Sequence, residues 1–337
     1  MRAAGRALKP MDISTSYLGL KCNTPLIVGA SPFADDTHTA RQVQEAGAGA
    51  IVMRSLFEEQ IYLDQMVRAV PSPVGDKSAV SSFPALSEYQ LTPDQYLRQI
   101  SDLKSELSIP VIASLNGYRP GAWIDYGRRF ESAGADAIEL NLYHLSGDSR
   151  LSASEIENQL LETVKLLRSS VSVPIAVKLQ PYYTALAHFV CQLENAGVDG
   201  VVVFNHSYQS EYDVDEQEPV QELRLSQPGE LLLRLHWLAL ISPRARCSLA
   251  ASGGVQDAAD VIKALLTGAD AVELVGVVLK NGPRILSTIS DGLRAWMDKH
   301  GYEKIESFRG NMNLHGPANP ADVERGEYQR LLQRWQI

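Results

Sequence analysis

AASGGVQDAADVIKALLTGADAVELVGVVLKNG, residues Ala250–Gly282, holds two apolar runs that both stop at glycine. Ser248–Ser252 is a short apolar run broken by Gly253 and Gly254. Val261–Leu266 has helical periodicity and ends at Gly268. Ala271–Val275 is a second apolar run, and Gly276 stops it. Two successive strands ending in glycine suggest a phosphate cradle, because backbone N–H groups approach an anion closely where no side chain intervenes. In a (β/α)8 barrel that cradle follows strands seven and eight, beside a helix N-terminus. A Gly-Gly pair by itself is only a tight turn, so the reading depends on the rest of the barrel.

The rest is found by working backwards. AGAGAIVM (46–53), AGADAIEL (133–140), AGVDGVVV (196–203) and TGADAVEL (267–274) share one form: an amphipathic helix, a glycine turn, a buried strand. TPLIVGA (24–30), IPVIASL (109–115) and VPIAVKL (173–179) alternate with them, each entered through proline, and SLAAS (248–252) is the fourth of that set. Uniformly apolar runs separated by helices are parallel strands covered on both faces. Eight such units in roughly 250 residues predict an α/β fold, a (β/α)8 TIM barrel forming one domain over residues 1–337. A doubly wound sheet is the competing architecture, but it rarely has eight units in an odd/even repeat. Two insertions are expected over the C-terminal mouth: Ser55–Leu107, containing PSPVGD, and the acidic His206–Leu225. The tail Arg309–Ile337 is expected to end in a helix that packs on the barrel or a second subunit.

Composition excludes several classes. The chain has 337 residues, 45% hydrophobic and 21% charged, with net charge −9 and no basic run, which disfavours nucleic acid and anionic membrane surfaces. Cys22, Cys191 and Cys247 make no CxxC and no metal spacing, and the histidines are scattered; no metal site is expected, and a reduced, cytoplasmic setting is. No apolar run approaches the length of a membrane span. MRAAGRALKP (1–10) is basic without an apolar core, so it is not expected to be a signal peptide, and Met11 is a second candidate start.

Polar residues or glycines end nearly every strand: Ser31, Arg54–Ser55, Asn116, Asn141, Lys178, Asn205, Gly253–Gly254 and Gly276. Packing alone gives no reason for amides and charges at the tops of buried strands, so these are site candidates. A lysine inside the mouth is costly unless paired. Lys178 has three readings: a structural ion pair, a Schiff-base lysine of an aldolase, or a cation facing a cofactor that becomes anionic, such as reduced flavin. Asn141 and Asn205 offer donor and acceptor together, which suits the edge of a flavin or of a pyrimidine-like ring.

From about Leu18 to Gly310 the chain resembles the dihydroorotate dehydrogenases of the soluble class-1 type and their dihydroorotate dehydrogenase-like relatives. The resemblance rests on AIELNL (137–142), AVKLQPYYTALAHF (176–189), ASGGVQDAADVIKALLTGADAVELVGVVLKNGP (251–283) and GYEKIESFRG (301–310). It implies noncovalent FMN at the barrel mouth and a small-molecule dihydropyrimidine-like substrate, oxidised by hydride transfer in pyrimidine (UMP) biosynthesis. It places the phosphate on Gly253–Gly254 and Gly276–Val277, Ala30 and Ser31 along the isoalloxazine, and Lys178 at its N1/O2 edge. Arg54 and Ser55 stand where the family has Lys-Ser. Asn141 and Asn205 match the family's flavin and substrate amides. No membrane-docking extension is expected, since strand one begins near Thr24, and a homodimer is.

The departures lie on the substrate side. The family's Asn-Leu-Ser-Cys-Pro-Asn loop, whose cysteine is the base, here reads Asn141-Leu142-Tyr143-His144-Leu145-Ser146. His144 takes the cysteine's place and Ser146 that of the second asparagine. An asparagine-rich stretch that helps hold orotate in the family reads Ser81-Ser82-Phe83-Pro84-Ala85-Leu86-Ser87. An imidazole near pKa ~6.5 is poised as a base at neutral pH. The expectation is an FMN-dependent oxidoreductase with His144 and Lys178 as catalytic residues. The rival readings are a Lys178 aldolase and a flavin-binding relative without this activity.

Overall fold

The computed structural model describes residues 11–69, 84–144, 147–206, 210–220, 222, 224–315 and 320–334. Eight parallel strands close into a barrel: β1 (Leu26–Val28), β2 (Ala50–Phe57), β3 (Val111–Asn116), β4 (Ala137–Asn141), β5 (Ile175–Leu179), β6 (Gly200–Val203), β7 (Ser248–Ser252) and β8 (Ala271–Leu274), with β8 pairing β1. Eight helices cover it: α1 (Thr37–Glu45), α2 (Pro93–Glu106), α3 (Asp125–Ala133), α4 (Ala153–Ser170), α5 (Leu186–Asn195), α6 (Glu230–Ile241), α7 (Ala258–Leu266) and α8 (Ile285–His300). The sequence dictates where they start. Thr92–Gln95 and Ser152–Glu155 form capping boxes at α2 and α4, and Asp36 and Asp257 cap α1 and α7. On α2, Tyr96, Ile100 and Leu103 form the buried stripe that faces the strands.

The odd/even repeat has a physical cause. Gly47, Gly134, Gly197 and Gly268 all end helices with left-handed φ between +94° and +112°, where a side chain would be strained. Two residues after the last three of them, an aspartate reaches back to the preceding odd strand; after Gly47 that place is taken by Gly49. Asp136 accepts the Val111 N–H at 2.7 Å, Asp199 the Ile175 N–H at 2.8 Å, and Asp270 the Leu249 N–H at 2.8 Å. The motif thus ends a helix and fixes the register of two strands together.

The bottom of the barrel is closed by a hairpin, Thr15–Tyr17 with Leu20–Cys22. Tyr17 and Leu18 fill an interior lined by Ala50, Ala137, Ala176, Ala250 and Ala271. A Cβ on Gly200 would lie 2.3 Å from Leu18 Cδ2, so that position has no room for a side chain.

The insertion boundaries shift. β2 runs through Ser55 to Phe57 across a register irregularity after Val52, a helix follows at Glu58–Ala69, and α2 is a barrel helix, so the added segment lies between Glu58 and Thr92. Its PSPVGD cluster lies outside the described residues. Within 206–225, Glu211–Asp213 and Glu218–Val220 pair as an exposed hairpin. The expected C-terminal helix is Pro320–Arg334. Among the described residues no helix is long and apolar enough to cross a membrane.

Candidate active site

Strand alternation decides what faces the barrel axis. In β4, Ile138 and Leu140 pack outward against the helices while Ala137 faces inward, so Glu139 and Asn141 follow Ala137. The same alternation turns Lys178 inward after Ala176, and Glu273 after Ala271. These residues open onto a cavity of about 800 Å³ at the C-terminal ends of the strands.

Its floor is ionic. Lys178 Nζ lies 2.5 Å from Glu273 Oε2 and 3.3 Å from Glu139 Oε1, and all three side chains are at most 6% exposed. Burial would lower the lysine's pKa, but the two glutamates outweigh it and raise it above the ordinary value. Burial, with the neighbouring Glu273 charge, pushes Glu139 well up. For Glu273 burial is outweighed by Lys178, which holds its carboxyl low. An ammonium stabilised this way is no Schiff-base nucleophile, which needs a lowered pKa. Of the three readings of Lys178, the ion pair is present, and the aldolase chemistry is opposed by it.

On the other side lies the glycine cradle. Gly253, Gly254 and Gly276 line the cavity. Gly254 has φ +80°, and a Cβ there would sit 2.4 Å from the Leu231 backbone nitrogen, so helix α6 already demands glycine. Gly276 differs. A Cβ there meets Ser226 Oγ at 3.5 Å and Leu225 Cβ at 3.6 Å, ordinary contacts within the protein. Gly276 opens a short helix, Gly276–Asn281, whose N-cap residue Val275 makes no side-chain cap. Its first N–H groups have no intrahelical acceptors. Ser226 Oγ accepts the Gly254 N–H at 3.0 Å, which leaves its own proton to donate. Val277 is buried and does not line the cavity, so only its backbone is a candidate contact.

The flavin implied by the resemblance fits this lining. Ser31 is 3% exposed, lines the cavity beside Ala30, and its Oγ has no hydrogen-bond partner among the described residues. A buried hydroxyl without a partner marks a place for a ligand heteroatom. Asn205 Nδ2 donates to Asn141 Oδ1 at 3.0 Å, leaving the Asn141 amide N–H and the Asn205 carbonyl as a donor–acceptor pair. Arg54 Nε bonds both oxygens of Asp35 at 2.9 Å, so the guanidinium is aimed by a carboxylate. Ser55 Oγ pairs with Ser114 Oγ at 2.8 Å.

His144 is placed apart from these residues. It does not line the cavity; its ring stacks on Tyr118, centroids 4.4 Å apart, while its neighbour Tyr143 does line it. Burial first, then the charge of Arg119, lowers the imidazole's pKa. Ser146 lies outside the described residues, as do Ser81, Ser82 and Phe83.

Sequence reasoning missed four residues. Glu139 and Glu273 occupy the same place in AIEL and AVEL, and a carboxylate at the third position of a buried strand was the available signal. Ser226 had none. Arg234, 4% exposed, donates from Nε to the Ser252 carbonyl at 2.8 Å and from Nη1 to the Glu230 carbonyl at 2.8 Å, bracing the start of the glycine turn from behind. Its signal was a lone arginine in the apolar helix ELLLRLHWLALI.

Comparison with known proteins adds an independent line. The family model described as "Dihydroorotate dehydrogenase" matches residues 13–297. "Putative dihydroorotate dehydrogenase A (fumarate)" of Aeropyrum pernix is 26% identical over 307 residues, 89% of this chain and 97% of that protein. "Dihydroorotate dehydrogenase B (NAD(+)), catalytic subunit" of Thermoplasma volcanium is 26% identical over 306 residues, 89% and 98% of the two chains. The protein of that same name in Caldicellulosiruptor saccharolyticus is 22% identical over 316 residues, 90% and 100%.

Proposed function

Because the chain belongs to the dihydroorotate dehydrogenase family, we propose that it is an FMN-dependent oxidoreductase that oxidises dihydroorotate, or a closely related dihydropyrimidine, at its CH–CH bond. The observation that carries this reading is one cavity at the barrel mouth lined by a glycine cradle, an unpartnered buried serine, an amide pair and a lysine. Bound FMN supplies a two-electron acceptor at that site.

The chain's own residues supply the rest. Gly253, Gly254, Gly276 and the Ser226 hydroxyl hold the phosphate. Ala30 and Ser31 lie along the ring, and Asn141 and Asn205 read its polar edge and the substrate. Lys178 orients the edge between them. Arg54, aimed by Asp35, offers its free guanidinium nitrogens to an anionic group of the substrate, with Ser55 beside it. His144 is the base of this reading, and Ser146 its loop partner. The reading includes a cytoplasmic setting and a homodimer. Exposed Tyr328, Leu331 and Leu332 share one stripe of the C-terminal helix, which supports a second copy.

The test is spectroscopic. Purified protein reconstituted with FMN is expected to hold about one flavin per chain and to lose its visible absorbance when dihydroorotate is added without oxygen. A chain that takes up no flavin sinks the reading. Flavin that binds but stays oxidised favours the relative without this activity.

The cradle has its own prediction. Gly276→Ala should weaken FMN by about tenfold, near ~1.4 kcal/mol, because its methyl group enters the phosphate's space without colliding with the protein. Riboflavin, which has no phosphate, should bind the variant and the parent alike. Equal losses for both flavins, measured by fluorescence quenching, place the phosphate elsewhere.

A further inference from the structure

The cavity floor holds two carboxyl groups and one ammonium, and the count does not balance unless one carboxyl is protonated. With both glutamates ionised, Glu273 Oε1 is buried and has no donor. A proton on Glu139, which shares the Lys178 ammonium with Glu273, supplies one. Lys178 stands 2.5 Å from Glu273 and 3.3 Å from Glu139, so its charge is committed chiefly to Glu273. The floor is then neutral: one ammonium, one carboxylate, one carboxylic acid.

We propose that Glu139 and Glu273 share one proton at the floor of the cavity, and that this neutral floor couples proton uptake to reduction of the cofactor, two protons entering the site for every two electrons. The proposal rests on the flavin reading above. A lysine with no counter-ion would cancel the negative charge that two electrons and one proton leave on the ring. Here Glu273 has already cancelled the lysine. Glu139, which lines the cavity, would supply the second proton and recover one from solvent through the mouth. Electrons and charge balance: the substrate, or dithionite in its place, loses two electrons, and the site gains two electrons and two protons.

The groups around the triad leave it as the titrating unit. Tyr17, from the bottom hairpin, interacts with both glutamates, and burial raises its pKa far above the ordinary value. Tyr96 faces Glu139 from α2 and is raised likewise by burial. Cys22, also on the hairpin, is pushed up to about 11 by burial. All three stay neutral across the physiological range.

Two measurements test this. The first is the infrared spectrum of flavin-free protein near neutral pH. The wild type should show the C=O stretch of a protonated carboxylic acid that both Glu139→Gln and Glu273→Gln remove. The second substitution removes it because Glu139, left alone with Lys178, ionises. A missing band in the wild type, or one that survives Glu273→Gln, overturns the shared proton. The second is the pH dependence of the flavin's reduction potential between about pH 6 and about pH 8. The wild type should take up two protons per two electrons and Glu139→Gln one. One proton in the wild type, or two in Glu139→Gln, overturns the coupling. Failure to bind FMN at all refutes the flavin reading, and with it the coupling, while the infrared band still decides the shared proton.

Discussion

Replacing Lys178 by methionine is expected to destabilise the fold by about 3–5 kcal/mol, the usual cost of removing one partner from a buried ion pair. The side chain is 6% exposed and its two carboxyl partners are at most 2% exposed, so solvent cannot take over its role. Without the ammonium, both glutamates must be protonated to stay buried. Their folded pKa values then lie above the unfolded reference of about 4.3. Raised carboxyl groups stabilise below that reference and lose their contribution as pH rises, so the defect should be largest near neutrality and shrink on acidification. The parent runs the other way through Glu273, whose lowered pKa contributes stability above the unfolded value and loses it as pH falls. The Lys178→Met/Glu273→Gln double variant should recover most of the loss, since one remaining acid, Glu139, is already disposed to be neutral. Urea denaturation at several pH values measures all of this. A single variant as stable as the parent at neutral pH, or a double variant no better than the single, removes the triad from the stability account.

His144→Ala is expected to slow reduction of bound flavin by dihydroorotate by roughly 10²–10⁴-fold, the range for a positioned general base, while FMN affinity stays unchanged. The residue lies on the loop that leaves β4 just after Asn141, and Tyr143 beside it lines the cavity. A base must be neutral to accept a proton. Burial and Arg119 lower the pKa of His144, so the reaction rate should rise with pH through a value below the ordinary ~6.5 and be level at neutrality. The stack on Tyr118 holds the ring outside the cavity lining, and in this reading that contact opens when substrate enters. Anaerobic stopped-flow reduction across this range decides it. Equal rates in parent and variant mean that the proton leaves to another group, and the cavity-lining Tyr143 is then the next residue to substitute.

Local chemistry made the barrel legible before any coordinates. Proline entered three of the four odd strands, and glycine ended the helices before the even ones at positions that need left-handed backbone. A second set, Gly253, Gly254 and Gly276, gave the cradle, and a lysine in an otherwise apolar strand gave Lys178. These signals are short-range, so they survive in a linear reading. What surrounds Lys178 is not short-range. Glu139 and Glu273 read as single polar interruptions of AIEL and AVEL, and nothing near them in sequence says that they meet. Closing eight strands into a ring brings β4, β5 and β8 round one axis, and the two-residue alternation turns all three side chains inward, where they meet. Only then does one lysine face two carboxyl groups away from water, and burial makes their charge count matter. His144 shows the converse. Its place in the loop could be read by analogy, but the direction of its ring depends on Tyr118, from the loop after the neighbouring strand, and a contact between side chains on two different loops belongs to the tertiary structure.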